Sequence, residues 1–305
     1  MTITKTLPFD DAAIAEAAGF ILGGQCVAVP TETVYGLAAD ATNGEAVARI
    51  YEAKGRPSFN PLIVHVPDLA ATHEIGVFDA QAATLAETHW PGPLTLVVPL
   101  RQPSVIASIA TAGLPTIGLR VPAHPAMQAL LRAAGRPLAA PSANASGGIS
   151  PTRAEHVLKS LGGRIPLIID GGPTERGIES TIIAATGGSV RLLRAGPIEV
   201  DAATPHAGRI EAPGQMASHY APSKPLRLDA ISAEPGEYWI GFGLYDGQAN
   251  LSASGDLTEA AARLFDLLHQ ADEADEAKIA VAPVPEAGLG VAINDRLRRA
   301  AAPRS

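Results

Sequence analysis

Apolar positions along this chain fall into two rhythms, one of helical spacing and one of short strand-like runs. Ile14, Ala17, Ala18, Ile21 and Leu22 recur at helical spacing. Asp10 or Asp11 can cap that segment, and Gly23-Gly24 ends it. The run Cys26 to Val29 reads as a strand that stops at Pro30 and releases a loop dense in hydroxyls, with Thr31, Thr33 and Tyr35. A second helix is expected near 44–54, carried by Val47, Ile50 and Tyr51. It places Lys54 in its last turn, where a cation suits the helix dipole. Asn60 and Pro61 then open another apolar run, Leu62 to Val66, with His65 inside it.

Further strands are expected at 94–98, 116–121, 137–140, 165–169, 180–184 and 190–194, and helices near 79–88, 125–134 and 152–160. The last helix carries a capping-box pattern, Thr152-x-x-Glu155. Strands and helices alternate at first and strands dominate after 165, which predicts an α/β domain with a twisted mixed sheet flanked by helices. From about 195 the pattern breaks into Pro, Gly, Ala and Ser. The expected layout is a catalytic domain over 8–200, a linker or lid over 201–235 and a small α/β, Rossmann-like domain over 236–305. The last part rests on strands at Tyr238–Phe242 and Lys278–Ala282 and helices at 257–270 and Ala292–Ala300. It is near the lower size limit for a self-sufficient core.

Composition narrows the function classes. Of 305 residues, 47% are hydrophobic but only 4% aromatic, so aliphatic side chains must do most of the packing. The net charge of −8 argues against a broad non-specific grip on nucleic acid, while leaving room for a local basic patch. One cysteine allows no internal disulfide and suits a reducing compartment. The first ten residues, MTITKTLPFD, lack the apolar core of a signal peptide, and no run approaches the ~20 apolar residues of a membrane span. A cytoplasmic location is therefore expected. There is no Walker-type phosphate loop, no G-x-S-x-G elbow and no metal-ligand spacing among the histidines.

Four clusters carry candidate chemistry. Lys54-Gly55-Arg56-Pro57 puts two cations around a glycine at a helix end. Alone this is a solvated helix cap; it also suits an anion such as a phosphate chain. Pro141-Ser142-Ala143-Asn144, followed by Ser146-Gly147-Gly148-Ile149-Ser150, presents small donors at a strand end. Alone it is a turn. Thr116 and Arg120 share one face of their strand. An arginine there needs a partner. That partner is either a structural ion pair, with Asp40 or Asp170, or a ligand carboxylate or phosphate. Glu179-Ser180-Thr181 and Arg194 read by themselves as a strand start and a surface arginine. His65 reads as a hydrogen-bonded core histidine.

Taken together, Lys54-x-Arg56 and Ser142-x-Asn144, inside the strings PTETVYGL and NPLIVHV, closely resemble the YrdC-type threonylcarbamoyl-AMP synthases. The linker with His219-Tyr220-Ala221-Pro222 and the layout of the C-terminal part resemble the long, two-domain form. The resemblance implies a nucleotidyltransferase joining L-threonine, bicarbonate or carbon dioxide, and ATP with magnesium, and releasing pyrophosphate. It implies catalysis by Lys54, Arg56, Ser142 and Asn144. The ATP site implied is Arg56, Asn60, Thr116, Ser142, Ser150, Arg194 and Tyr220; the L-threonine site is Thr33, His65, Arg120 and Ser180. The product would feed the threonylcarbamoyl transferase machinery that modifies tRNA. A non-catalytic protein binding tRNA or other double-stranded RNA is the competing expectation. A hydrogenase-maturation protein ranks lower, because its extra zinc-finger and acylphosphatase-like regions have no room here.

Overall fold

The period-2 alternation of the apolar runs sorts their side chains onto the two faces of one ten-stranded sheet. The computed structural model describes residues 2–200 and 219–303; the 201–218 part of the expected linker lies outside the described residues. The chain enters by β1 (Lys5–Pro8), crosses α1 (Asp11–Leu22), and forms a hairpin of β2 (Val27–Pro30) and β3 (Tyr35–Asp40). It continues through α2 (Gly44–Lys54), β4 (Ile63–His65), α3 (Leu69–His73), α4 (Ala80–His89), β5 (Leu94–Pro99) and β6 (Thr116–Arg120). Then follow α5 (Pro125–Ala134), β7 (Leu138–Ala139), α6 (Ala154–Leu161), β8 (Leu167–Asp170), β9 (Thr181–Thr186) and β10 (Ser189–Arg194). The strand order is β1-β8-β2-β3-β7-β4-β6-β5-β9-β10, with parallel and antiparallel pairs mixed.

One face is apolar throughout. Leu37, Val64, Leu96, Leu119 and Ile183 point there and pack under α2, α4 and α6 through Val47, Ile50, Ala82, Ala86, Val157 and Leu161. The opposite face is covered over only part of its width. Helices α1 and α5 pack on Val27, Val29, Ala38, Leu138 and Leu167. Beyond them the same face carries Ile63, Val97, Ile182 and Ala184 together with four polar residues, His65, Thr95, Arg120 and Ser180. Polar groups in buried strands mark where this face does something other than pack.

The C-terminal domain is a four-stranded parallel sheet, ordered β11 (Leu226–Arg227), β14 (Lys278–Val281), β12 (Glu237–Gly241), β13 (Ala249–Asn250). Helices α7 (Leu257–Glu273) and α8 (Leu289–Ala301) complete it. Its apolar cluster is shared with the large domain: Val34, Ile149 and Ile178 join Tyr220, Leu264, Phe265 and Ile293 in one buried group. Sharing a core answers the size problem that a domain this small would face alone. Arg153–Asp266 and Lys159–Glu273 tie α6 to α7 at its rim.

Several expectations need correcting. Half of the expected hydroxyl loop is strand: Tyr35, Leu37 and Ala39 alternate with Gly36 and Ala38, and β3 pairs with both β2 and β7. The capping box does not form. The N-cap of α6 is Arg153, without a side-chain cap bond, and Thr152 Oγ1 meets His156 Nδ1 instead. Strand β11 lies within the stretch read as linker and pairs with β14. Elements β1, α3 and β13 are also additions, each too short to leave a periodic signal.

Candidate active site

The uncovered part of the sheet face floors a cleft that encloses about 530 Å³ of space, part of it open to solvent. Its lining comes from elements far apart in sequence. Thr31, Thr33 and Val34 come from the β2–β3 turn, Arg56 from the loop after α2, and His65 from the end of β4. Arg120 ends β6, Pro141 and Ser142 follow β7, Glu179 and Ser180 precede β9, Arg194 ends β10, and His219 and Tyr220 close the far side.

Arg120 is the best-anchored group. Its Nη2 donates to Glu32 at 2.6 Å, both Nη atoms donate to Thr33 Oγ1, and its Nε donates to the Gly92 carbonyl. The partner is thus Glu32, not Asp40 or Asp170. Asp40 is taken by the backbone N–H and hydroxyl of Thr42, and Asp170 by Tyr35 and the Gly172 N–H. Burial pushes the Glu32 carboxyl up, but Arg120 and the Ala123 N–H hold it below the usual range. Of the five guanidinium N–H groups, one on Nη1 is left for a ligand. The Thr31 hydroxyl donates to the Val34 carbonyl, so in its contact with Thr33 it accepts. Thr33 is thereby satisfied on both counts and acts as scaffold for Arg120.

Lys54 and Arg56 diverge because Gly55, at φ 60°, terminates α2 in the left-handed conformation. The Lys54 ammonium turns inward and donates to the carbonyls of Ser142 and Asn144, 2.5 Å to each. It fastens the 142–144 turn to the helix end and is not among the cavity's lining residues. Burial, and then Arg56, lower its pKa well below the ordinary value. Arg56 does reach the cavity. Its Nε and Nη2 donate only to the carbonyls of Asn60 and Pro61. Arg194 is held in the same manner, with Nε on the Ser180 carbonyl and Nη2 on the Ser180 hydroxyl, which also bonds Thr95. Among the described residues neither guanidinium has a carboxylate within 4.0 Å, and burial lowers the pKa of both. Buried charge without countercharge is costly, and a functional site is where that cost is retained.

The acid Glu179 accepts from Ser150 and from Arg296, which reaches in from α8 at 3.0 Å. Burial pushes its carboxyl up, but Arg296 and Arg194 keep it below the usual range. Arg296 lies 5.5 Å from the ring centroid of Tyr220, whose buried hydroxyl has no hydrogen-bond partner among the described residues. Tyr220 adopts φ 65°, rare for a residue with a side chain. The Ala221 N–H donates to the Gly147 carbonyl, seating this segment on the loop after Asn144. Burial lowers His65 and His219 to about 3, so both rings are neutral near pH 7.

Of the residues singled out from sequence, Thr33, Arg56, His65, Arg120, Ser142, Ser180, Arg194 and Tyr220 line the one cavity. Asn144 sits behind it, with Nδ2 on the Ala145 and Gly148 carbonyls, and Ser150 lies under Glu179. The Asn60 carbonyl orients Arg56. Thr116 begins β6, ~13 Å along the strand from Arg120 at about 3.3 Å per residue, and is not in the lining. Glu32 and Arg296 were not foreseen, and Glu179 was read only as part of a strand start. The only signal for Glu32 was the arginine's need of a countercharge, and nothing local marks Arg296. Among the described residues no three His, Cys, Asp or Glu side chains converge as a metal site, and no helix is long and apolar enough to cross a membrane.

Known proteins resemble this chain over nearly its whole length. The family model Sua5_yciO_yrdC, described as "Telomere recombination", matches residues 19–196. The model described as "Threonylcarbamoyl-AMP synthase, C-terminal domain" matches residues 177–302. The chain is 41% identical over 335 residues to the threonylcarbamoyl-AMP synthase of Bacillus subtilis, spanning 99% of this chain and 96% of that one. It is 40% identical over 316 residues to that of Pyrococcus abyssi, spanning 93% and 92%. The crystal structure of P. abyssi Sua5 complexed with L-threonine superposes with a TM-score of 0.85 at 37% identity, over 99% of this chain and 97% of that one.

Proposed function

This chain belongs to the threonylcarbamoyl-AMP synthase family of nucleotidyltransferases, and from that premise we propose that its cavity joins L-threonine, bicarbonate or carbon dioxide, and ATP into threonylcarbamoyl-AMP and pyrophosphate. The observation that carries the proposal is the pair of buried guanidiniums, Arg56 and Arg194, whose hydrogen bonds among the described residues go to neutral acceptors. They suit a polyphosphate. Arg120, with one N–H to spare in the same cavity, suits a carboxylate. The bound threonine in the P. abyssi relative supports the amino-acid half of the assignment.

The threonine amine captures carbon dioxide as a carbamate. A carbamate oxygen attacks the α-phosphorus of ATP, and the bond to the β-phosphate oxygen breaks as pyrophosphate leaves. The attacker is already an anion, so no side-chain nucleophile is needed. Catalysis then consists of holding two anions together and neutralising charge on the leaving group. Arg56 and Arg194 serve the phosphates. Ser142 and Asn144 shape the turn beside them, held by Lys54 from behind. Arg120 takes the threonine carboxylate, with Thr33, His65 and Ser180 around it. The adenosine is assigned to the side bounded by Asn60, Ser150 and Tyr220, where Tyr220 excludes water from the labile carbamate and mixed anhydride.

Glu32 and Glu179 are both ion-paired, so among the described residues the cavity offers no free carboxylate for a resident metal. We assign magnesium to the triphosphate that brings it, where it would offset phosphate charge. The product would serve as donor for threonylcarbamoyladenosine in tRNAs reading codons that begin with A, through a separate transferase in the cytoplasm. The test is pyrophosphate release with ATP, magnesium and bicarbonate, with and without L-threonine, with L-serine and L-valine as controls. Release that needs both threonine and bicarbonate is the expected result. Threonine-independent release, or none, would overturn the reading.

A further inference from the structure

The C-terminal domain places a charged side chain behind the lining of this cavity, against Glu179, and its chemistry is unusual. Arg296 on α8 is fully buried, yet it lies in a domain that supplies none of the floor. Its Nε donates to Glu179 Oε2 at 3.0 Å and its Nη1 to Asp295, while the guanidinium faces the Tyr220 ring. The other Glu179 oxygen accepts from Ser150, whose carbonyl meets Nε2 of His269, again from the C-terminal domain. Two contacts from one domain therefore converge on the Ser150–Glu179 pair.

Glu179 is the carboxylate whose freedom would most harm an anion site. It lines the cavity and immediately precedes Ser180, on which Arg194 is anchored. Without Arg296 it would be a buried negative charge whose remaining cationic influence is Arg194. The Arg194 guanidinium would then be spent on the protein, and the phosphates would face an added like charge.

We infer that Arg296 is a positioning residue of the nucleotide site: it neutralises Glu179 and keeps Arg194 free for the ligand's phosphates. The C-terminal domain thereby sets the charge of a cavity that it does not floor. This rests on the ATP assignment made above. It makes a prediction of opposite signs that a merely structural strut does not share.

The test uses the full chain and three variants, Arg296→Met, Glu179→Gln and the double variant. Each is checked for fold by far-UV circular dichroism and assayed for threonine-dependent pyrophosphate release against ATP concentration. Arg296→Met is expected to raise the KM for ATP about tenfold, the scale of one unit charge felt at ~10 Å through an effective dielectric of ~20. Glu179→Gln is expected to lower it or leave it unchanged, and the double variant to return within about threefold of wild type, near the additivity expected once the charge is gone. If Arg296→Met does not fold, the double variant carries the test, since it removes both buried charges. A double variant no better than Arg296→Met, or a tenfold rise in Glu179→Gln alone, overturns the inference. An inactive wild type overturns the ATP reading, and this inference with it; an active wild type with indifferent variants overturns this inference alone.

Discussion

Replacing Arg56 by methionine should make the ligand-free protein more stable while removing its affinity for ATP. The guanidinium is 8% exposed and its two acceptors, the Asn60 and Pro61 carbonyls at 3.4 and 3.2 Å, are neutral and distant. Burial is the main reason its pKa falls from 12.5 to about 10; Arg194 adds to the fall, and Tyr51 and Tyr220 oppose it. At 1.36 kcal/mol per unit, that drop corresponds to about 3 kcal/mol by which the charge disfavours folding. The sign follows from linkage. The unfolded chain holds this proton more tightly than the folded one. The penalty is therefore complete below about pH 10 and fades only as the pH rises toward 12.5.

Methionine keeps much of the apolar stem and removes the charge. It forfeits two hydrogen bonds, which at 3.4 and 3.2 Å are long and fall at the weak end of the range, about 1 kcal/mol each. The net expectation is a gain of about 1 kcal/mol, read as a higher urea midpoint by far-UV circular dichroism at pH 7.5. Saturating ATP should reverse the order. At a hundredfold excess over its Kd a ligand adds about 2.7 kcal/mol to the wild type and nothing to a variant that does not bind it. A variant whose ligand-free midpoint drops by the equivalent of 1 kcal/mol or more would refute this reasoning. It would show Arg56 to be a strut rather than stored charge.

Three further outcomes follow from the same contacts. Glu32→Gln should cost about 3–5 kcal/mol, because it leaves Arg120 buried without its carboxylate. Since the Glu32 carboxyl is held below its ordinary 4.5, the wild-type advantage in urea midpoint should be full above that pH and vanish as the pH falls through the lowered value; an advantage independent of pH would sink the idea. Lys54→Met should lower threonine-dependent pyrophosphate release by about a hundredfold through a displaced 142–144 turn, the scale of a 1 Å misplacement. Faster amide exchange across residues 142–146 is the signature to seek, and unchanged exchange would refute the stapling role. Tyr220→Phe should match or exceed the wild-type urea midpoint, since its buried hydroxyl has no hydrogen-bond partner among the described residues; a loss above ~1 kcal/mol would show that the hydroxyl is bonded.

Much of the fold was legible because strand side chains alternate so regularly. Leu62, Val64 and Val66 against Ile63 and His65 already state which residues share a face. What the local pattern could not supply was pairing. A buried arginine announces that it has a partner, but the acids that the sequence suggested, Asp40 and Asp170, were bonded elsewhere, and Glu32 came from across the sheet. Lys54 and Arg56 looked equivalent as letters. A single left-handed glycine between them sends one into the protein and the other into the cavity. Arg296 was invisible for a related reason: in α8 it sits among Arg298 and Arg299, and only the docking of two domains separates it from those surface cations.

That docking also resolves the apparent conflict between an acidic chain and an anionic ligand. A net charge of −8 describes the exterior as seen from a distance, where salt screens it within ~10 Å. A small polyanion entering the cavity meets Arg56, Arg120 and Arg194 at short range, in a medium where each interaction is several times stronger than in water. Glu179 does not cancel this, because Arg296 already matches it; Glu32 offsets Arg120 and leaves Arg56 and Arg194 as the net positive charge. A long nucleic acid would have to lie along the acidic outside, whereas a mononucleotide need only fit the inside. The separation of an acidic surface from a cationic interior thus selects for ligand size as well as charge. It favours chemistry on a small phosphorylated molecule over a grip on RNA, and a steep salt dependence of RNA binding in the absence of ATP turnover would be the result that reverses this preference.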